Sequence, residues 1–314
     1  MGDVFDPPDA AAAASSTAEP PEVALVRAQL AQLLDDSAAA PELEPIRTIG
    51  AGRFGATRLV RRASDGCLLC SKQIVIEQFT RRRHASSSDA LHEVEVFRLL
   101  GAACPHIVRF AGAHVADGAL HILTEYAENG SLRQLLDRRR DRGEVLGEAE
   151  ALDLFVQLVS GVRHLHAHKV VHRDIKPGNI FLDRRNLVRL GDFGIARVLG
   201  GAADDGAQQQ QRSVGTPLYL APEVVEGKAA DEKGDTWALG VVLYEMVALR
   251  PPFVADNLAA LAIAISRAQH EPLASAVRLR LPGAGGGRGG GSTDGGRGGP
   301  RSTRGEVGAA PRAD

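Results

Sequence analysis

Four polar residues in one stretch of the chain carry the side chains best suited to chemistry: Asp174, Lys176, Asn179 and Asp192. Carboxylate and amide oxygens, such as those of Asp192 and Asn179, are hard donors, and Mg²⁺ prefers such donors in proteins. The stretch is therefore a candidate cation site, and the rest of the chain has to position it.

These residues belong to two motifs, His-Arg-Asp at 172–174, with Asn179 five residues after the aspartate, and Asp-Phe-Gly at 192–194. Together they resemble the catalytic loop and the metal-binding triplet of eukaryotic protein kinases. His-Arg-Asp alone could be a chance tripeptide in a loop. The added asparagine and the second motif at its expected distance argue against chance.

The resemblance implies transfer of a phosphoryl group, which needs positioning and cations more than covalent help. Asp174 would accept the hydrogen bond and then the proton of a substrate hydroxyl, while Lys176 would contact the moving phosphate. Asn179 and Asp192 would hold Mg²⁺. The lysine at position 176 makes this loop similar to that of serine/threonine kinases rather than to that of tyrosine kinases.

A glycine-rich segment lies upstream, with three glycines at G-x-G-x-x-G spacing between two strand-like runs. A dinucleotide-binding fold uses the same spacing, but its third glycine opens a helix, whereas this segment continues as a strand. The resemblance implies a loop folded over the phosphates of ATP. The residues implied in nucleotide binding here are Ile49, Gly50, Ala51, Gly52, Arg53, Phe54, Gly55, Ala56 and Thr57.

Residues 67–76 predict a half-buried strand with Leu68, Cys70, Lys72 and Ile74 on one face. By resemblance, Lys72 contacts the first phosphates of ATP and Cys70 lies beside the adenine. The alternative is a lysine at a strand edge, where charge protects against edge pairing.

The following helix, predicted over residues 89–100, offers two glutamates as partners for Lys72. Glu93 shares a face with Phe97, which we expect to point inward, whereas Glu95 lies about 200° around the helix. We therefore predict an ion pair between Glu93 and Lys72.

The run Thr124-Glu125-Tyr126-Ala127 resembles the hinge between two lobes, where backbone groups hydrogen-bond adenine. Glu125 and Ala127 are accordingly expected at the nucleotide, and Thr124 is expected to control access to a pocket behind it.

Residues 215–223 resemble the end of a kinase activation segment, in which Thr216 positions the peptide substrate. Arg173 is typical of kinases that need an anionic group on this segment. We hypothesise that a phosphate on Ser213, or the acidic pair at 204–205, supplies it.

The more specific resemblance is to the NIMA-related (never in mitosis) kinases. It covers about Pro45 to Pro272 and rests on residues 179–182, 190–199 and 237–240.

The expected fold is α+β, a two-lobed protein kinase fold with a small antiparallel β-sheet lobe at 45–127 and a mainly helical large lobe at 128–281. Residues 1–44 and 282–314 read as disordered tails, the second rich in Gly and Arg. Within the first tail, residues 23–34 form an apolar stripe that fits a marginal helix or, less favoured, a docking helix.

The large lobe looks truncated at its C-terminal end, because two terminal helices that other kinases carry are not visible. The late arginine that pairs with the glutamate of Ala-Pro-Glu is missing with them. Glu223 is thus expected to lack its partner.

Composition fits a globular protein: 314 residues, 44% hydrophobic, with a net charge of −2. We expect a cytoplasmic protein with no membrane segment, nuclear or cytoskeletal association being left open, because no long apolar run or signal peptide is visible. Its three cysteines, Cys67, Cys70 and Cys104, are expected to be free thiols.

The function expected from these observations is Mg²⁺- and ATP-dependent phosphorylation of serine or threonine on protein substrates. One alternative is an ATP-binding pseudokinase or scaffold whose incomplete large lobe prevents turnover. The other is an RNA-associated adaptor acting through Arg-Gly-Gly repeats, although the tail lacks aromatic residues for base stacking. The oligomeric state is not predicted.

Overall fold

The structure, a computed structural model, describes residues 19–34, 41–52, 55–78, 87–199 and 217–273. Besides a short helical stretch at 76–78, the chain forms seven α-helices and nine strands within these ranges. In chain order they are α1 Pro21–Leu34, β1 Leu43–Gly52, β2 Gly55–Arg62, β3 Leu68–Val75, α2 Ser87–Leu100, β4 Phe110–Ala116, β5 Ala119–Glu125, α3 Leu132–Asp141, α4 Glu148–Ala167, β6 Val170–Val171, β7 Ile180–Leu182, β8 Val188–Leu190, β9 Arg197–Val198, α5 Pro222–Val225, α6 Glu232–Ala248 and α7 Leu258–Ser266.

The small lobe is built on an antiparallel sheet in the order β1-β2-β3-β5-β4. Asp117 and Gly118, both with positive φ, close the tight hairpin between β4 and β5, as aspartate-glycine turns do. The register places Lys72 of β3 between Thr57 of β2 and Ile122 of β5. Lys72 is therefore held in the middle of the sheet and not at an edge.

Strand β3 begins one residue later than predicted, at Leu68. Leu68 itself is exposed, while Leu69 and Ser71 on the opposite face are buried. Both faces of the sheet are thus partly covered. The alternation of apolar residues in the sequence predicted burial of only one face.

Residues 21–34 form α1, so the segment 1–44 that was predicted to be a disordered tail contains the helix expected over the apolar stripe at 23–34. Val23, Val26 and Leu30 of this helix are buried in the main hydrophobic core, and Leu33 and Leu34 pack against that core. The predicted apolar stripe was correct. Its partners, α2 and β4, could not be read from the local sequence.

The large lobe is organised around α6, whose buried residues cover more than half of its circumference, while Lys233, Thr236 and Gly240 on the remaining face are exposed. Asp231 caps its N-terminus by accepting hydrogen bonds from the backbone of Lys233 and Gly234. Because α6 is buried over more than half of its circumference, it forms the centre of the lobe. No helix among the described residues is both long and apolar enough to cross a membrane.

Helix α4 packs against α6 and the β6 and β8 strands through Leu154, Leu158, Val162 and Leu165. The apolar spacing of the sequence predicts an inward stripe of Leu152, Phe155, Leu158, Val159 and Val162. This prediction is partly wrong, because Leu152 is 48% and Val159 is 38% exposed. Apolar residues occur around most of this helix, so spacing alone did not specify which stripe faces inward.

The two-lobed α+β architecture is confirmed.

Candidate active site

The loop after β6 is anchored to the central helix of the large lobe. The carboxylate of Asp235, 1% exposed on α6, accepts hydrogen bonds from the backbone N–H groups of His172 and Arg173, each at 2.9 Å. His166 at the end of α4 contacts the same carboxylate at 2.9 Å. These bonds hold Arg173 in a left-handed conformation, with φ of 68°, and fix the direction of the following residue, Asp174.

Asp174, Lys176 and Asn179 form one cluster in this loop. The ammonium of Lys176 lies 2.6 Å from Asp174 Oδ2, and Asn179 Nδ2 donates to Asp174 Oδ2 at 3.0 Å and to the Asp174 carbonyl at 2.9 Å. Since the amide nitrogen of Asn179 faces Asp174, its oxygen Oδ1 faces away and can serve as a cation ligand. The structure brings these three predicted residues together.

The Asp-Phe-Gly segment lies directly beside that cluster. The Asn179 carbonyl accepts a hydrogen bond from Gly191 N at 3.0 Å, and His172 Nε2 contacts the Gly191 carbonyl at 3.1 Å. Asp192 has a positive φ of 64°, so its side chain leaves the chain in a fixed direction. Asp192 directly follows the residue that makes this backbone contact with Asn179, and a carboxylate together with an amide oxygen is a donor set that fits Mg²⁺.

Lys72 joins the small lobe to this site. Its ammonium lies 2.7 Å from Glu93 Oε2 and 2.7 Å from Asp192 Oδ1. Glu93 is 5% exposed, whereas Glu95 on the same helix is exposed. The predicted ion pair between Lys72 and Glu93 is present, and it connects β3 and α2 to the Asp-Phe-Gly segment.

The charges of this triad alter one another's protonation. Burial alone would lower the pKa of Lys72, but the carboxylates of Glu93 and Asp192 raise it above its ordinary value. Burial likewise opposes ionisation of Asp192, yet Lys72 lowers its pKa. Burial raises the pKa of Glu93, which Lys72 only partly offsets. Lys72 is therefore a permanent cation, and Asp192 is an anion able to bind a metal.

The glycine-rich hairpin, formed by β1 and β2, is joined to the strand that carries Lys72. Gly52 at the end of β1 is paired with Gly55 at the start of β2, and the third glycine continues as strand and not as helix. Thr57 is paired with Lys72. Ile49, Gly50 and Ala51 lie on β1, and Ala56 lies on β2; Arg53 and Phe54 lie outside the described residues. The hairpin geometry therefore does not match the dinucleotide-binding alternative.

Gly55 is required by close packing against β3. A Cβ atom at this position would lie 2.1 Å from the carbonyl oxygen of Gln73, a backbone atom that cannot move without disturbing the strand. We expect Gly55→Ala to lower the free energy of unfolding by about 1 to 3 kcal/mol. Gly50→Ala is the matched control, since a Cβ there meets only Thr57 at 3.8 Å. Thermal unfolding without nucleotide measures both, and equal stabilities would contradict the prediction.

In the hinge that follows β5, the Glu125 side chain binds other residues of the protein. Its carboxylate accepts a hydrogen bond from Arg109 N at 2.9 Å and lies 3.5 Å from Arg189 Nε on β8 of the large lobe. The Ala127 carbonyl accepts from Gly130 N at 3.2 Å. Any role of Glu125 in binding a nucleotide would therefore rest on its backbone, and that role stays a prediction.

Cys70 faces the same side of the sheet as Lys72 and is paired with Thr124 of β5. Burial raises the pKa of its thiol to about 11. The group is therefore neutral at physiological pH, which suits the wall of an apolar pocket.

Thr216, Ser213 and the acidic pair at 204–205 lie outside the described residues, and their roles stay predictions. The described part of this segment begins at Pro217. Among the described residues, the Glu223 carboxylate is in no salt bridge, and it lines an apolar groove of about 840 Å³ with Trp237, Tyr244 and Phe253.

One cluster next to the site was missed by the sequence analysis. Tyr219 OH donates to Glu245 Oε2 at 2.7 Å, and Arg133 donates to both Glu245 Oε1 and the Tyr219 oxygen at 2.7 Å. Burial and the Glu245 charge raise the pKa of Tyr219, so the phenol stays protonated and donates. A glutamate within the apolar run of α6 was the available signal, because such residues are rarely buried unless paired.

Residues 43–278 match the family model for the protein kinase domain. The chain belongs to the protein kinase family. This kinase is 37% identical over 237 residues to the serine/threonine-protein kinase Nek5 of Homo sapiens, an alignment that covers 75% of this chain and 32% of that protein.

Two further relatives of this kinase carry the same type of name. It is 37% identical over 231 residues to the serine/threonine-protein kinase Nek8 of Danio rerio, covering 73% of this chain and 31% of that protein. It is 36% identical over 228 residues to the serine/threonine-protein kinase Nek1 of Mus musculus, covering 73% of this chain and 18% of that protein. The predicted resemblance to NIMA-related kinases is confirmed. The chain spans about a third of the length of the first two of these relatives.

Proposed function

We propose that this chain transfers the γ-phosphate of Mg²⁺-bound ATP to serine or threonine hydroxyls of protein substrates. The observation that carries the proposal is the convergence of Lys72 and Asp192 with the cluster of Asp174, Lys176 and Asn179 at the boundary of the two lobes. Two cations, two carboxylates and an amide are the groups that phosphoryl transfer requires.

The nucleotide side of the site is assigned to the small lobe. Lys72 would bind the first phosphates of ATP, and the glycine-rich hairpin would cover the phosphates with its backbone N–H groups. Glu93 fixes the position of Lys72 through the 2.7 Å ion pair. Asn179 and Asp192 would hold Mg²⁺, which supplies positive charge to the phosphate oxygens when bound.

The acceptor side is assigned to the catalytic loop. The substrate oxygen would attack the γ-phosphorus, the bond between that phosphorus and the bridging oxygen would break, and ADP would leave with that oxygen. Asp174 would orient the hydroxyl and receive its proton, and Lys176 would stabilise the transferring phosphoryl group. Asp174 is already oriented by Lys176 and Asn179, so little rearrangement is needed.

Serine or threonine is favoured as the acceptor by Lys176 and by the relatives, which are named serine/threonine-protein kinases. The competing function is a pseudokinase, which would bind ATP without transferring phosphate. The two differ only in turnover, so the deciding experiment has to measure binding and transfer on the same protein.

The test measures the melting temperature and phosphate transfer of the full chain with Mg²⁺ and γ-labelled ATP. ATP at about 100 times its Kd should stabilise the fold by about 2.7 kcal/mol, and label should appear on serine or threonine of a generic protein substrate. Lys72→Met is the control and should lose most of both signals. Stabilisation without transfer would favour the pseudokinase. The absence of both stabilisation and transfer would refute both functions.

A further inference from the structure

Helix α1 precedes the region that matches the kinase family model, yet it packs on the small lobe. Val26 is 0% and Val23 is 2% exposed, and both belong to the same core cluster as Val94 and Phe97 of α2. The helix contacts α2 and β4. Residues outside the matched range, 43–278, thus complete the packing around α2.

A polar contact fixes α1 on the edge strand of the sheet. Arg27 Nη1 donates to the Val115 carbonyl of β4 at 2.9 Å, and Glu19 holds the same guanidinium at 2.7 Å. Strand β4 is the last in the sheet order. Covering an edge strand with a helix satisfies groups that would otherwise pair with another chain.

Helix α2 is buried over more of its circumference than contact with one sheet explains. Val96, Glu93 and Leu91 are all buried, and at 100° per residue the arc that joins them spans about 220°. A helix lying on one surface buries a stripe of roughly 100° or somewhat more. A second surface is therefore needed on α2, and α1 supplies one.

The position of α2 decides whether Glu93 reaches Lys72. Within the described residues, α2 is also held through Phe97, which stacks on Phe110 and meets Phe193 edge-on at 5.1 Å. His92 Nε2 contacts the Ala196 carbonyl at 2.6 Å. These contacts tie α2 to the Asp-Phe-Gly segment, so a shift of α2 would change the nucleotide side and the metal side of the site together.

We propose that α1 is a built-in positioning helix, which holds α2 in the orientation where Glu93 pairs with Lys72 and thereby raises the rate of phosphoryl transfer. The proposal rests on the proposed kinase function for its effect on activity. Its structural part, the restraint of α2 by α1, stands on packing alone.

The decisive variant of the full chain is Val26→Asp/Leu30→Asp, which places two charges in the contact between α1 and the core. Ala24→Asp/Ala28→Asp is the matched control, with the same charges at the same i, i+4 spacing on exposed positions of the same helix. We expect kcat at saturating Mg²⁺-ATP to fall about tenfold in the first protein and to stay unchanged in the second.

Hydrogen exchange of the α2 amides gives a readout that does not depend on activity. These amides should exchange about tenfold faster in Val26→Asp/Leu30→Asp than in the control, with no change in α6. If the wild-type chain transfers no phosphate but α2 exchange still responds, the kinase function fails and the restraint of α2 stands. Exchange and kcat both equal to those of the control would overturn the inference, and so would faster exchange with unchanged kcat in an active wild type.

A peptide of residues 19–34 added to the Val26→Asp/Leu30→Asp protein should restore kcat, and the same peptide with both aspartates should not. General destabilisation would not respond to the peptide. If the double variant does not fold, Leu30→Ala against Leu25→Ala decides, since Leu30 is buried and Leu25 is 49% exposed. Equal kcat and exchange in that pair would overturn the inference.

Discussion

Replacement of Asp174 by asparagine is expected to lower the rate of phosphate transfer about 10³-fold while ATP binding is retained. Asparagine keeps the size of the side chain and an oxygen that can accept from Lys176 and Asn179, so the loop geometry should persist. It removes the basic group that would receive the proton of the substrate hydroxyl. The loss therefore falls on kcat, and the stabilisation by Mg²⁺-ATP should match that of the wild type.

The control for this prediction is Asp153→Asn, an equal change of charge at an exposed position on α4. It should leave kcat and the melting temperature unchanged. Labelled phosphate transfer under single-turnover conditions compares the three proteins. Transfer by Asp174→Asn at the wild-type rate would contradict the role assigned to Asp174, even if the chain proves to be a kinase.

Removal of the Glu245 carboxylate is expected to have the largest effect on stability. In Glu245→Ala, Arg133 and Tyr219 lose the acceptor that both now share, and Glu245 is 1% exposed, so water replaces it poorly. Breaking a buried pair costs about 3 to 5 kcal/mol. We expect about 3 kcal/mol, because Arg133 stays 33% exposed and can be hydrated.

Urea unfolding measures this change, with Glu232→Ala as the control. Glu232 is only partly buried in the first turn of the same helix, and its replacement should change the free energy of unfolding by less than about 0.5 kcal/mol. A double-mutant cycle with Arg133→Met isolates the pair, and the double variant should lose less stability than the sum of the single variants. Additive losses would show that Arg133 and Glu245 do not act as a unit.

Local spacing determined the parts of the candidate site that depend on one stretch of chain. Asp174 and Asn179 are five residues apart in one loop, so they cannot lie far from each other. The choice of Glu93 over Glu95 followed from the helical period, because residues two apart face opposite sides. The ion pair with Lys72 bears this choice out.

The failures of the sequence analysis have a common cause. Helix α4 is apolar around most of its surface, so its inward stripe depended on where α6 and β8 lie. Helix α1 has a clear apolar face, but a short helix gains little stability alone, and composition therefore placed it in a tail. Only its contacts with α2 and β4 make it part of the small lobe.

The amino-acid sequence by itself determined the kinase family, the two-lobed fold and the spacing of the residues proposed for chemistry, because short-range geometry and residue type suffice for these. Only the tertiary structure decided which cation pairs with the Glu245 carboxylate, since its partner Arg133 lies 112 residues away. The same holds for α1 and for the carboxylate of Glu125. Contacts between distant segments depend on how all the elements pack at once, and no local pattern in the chain encodes that.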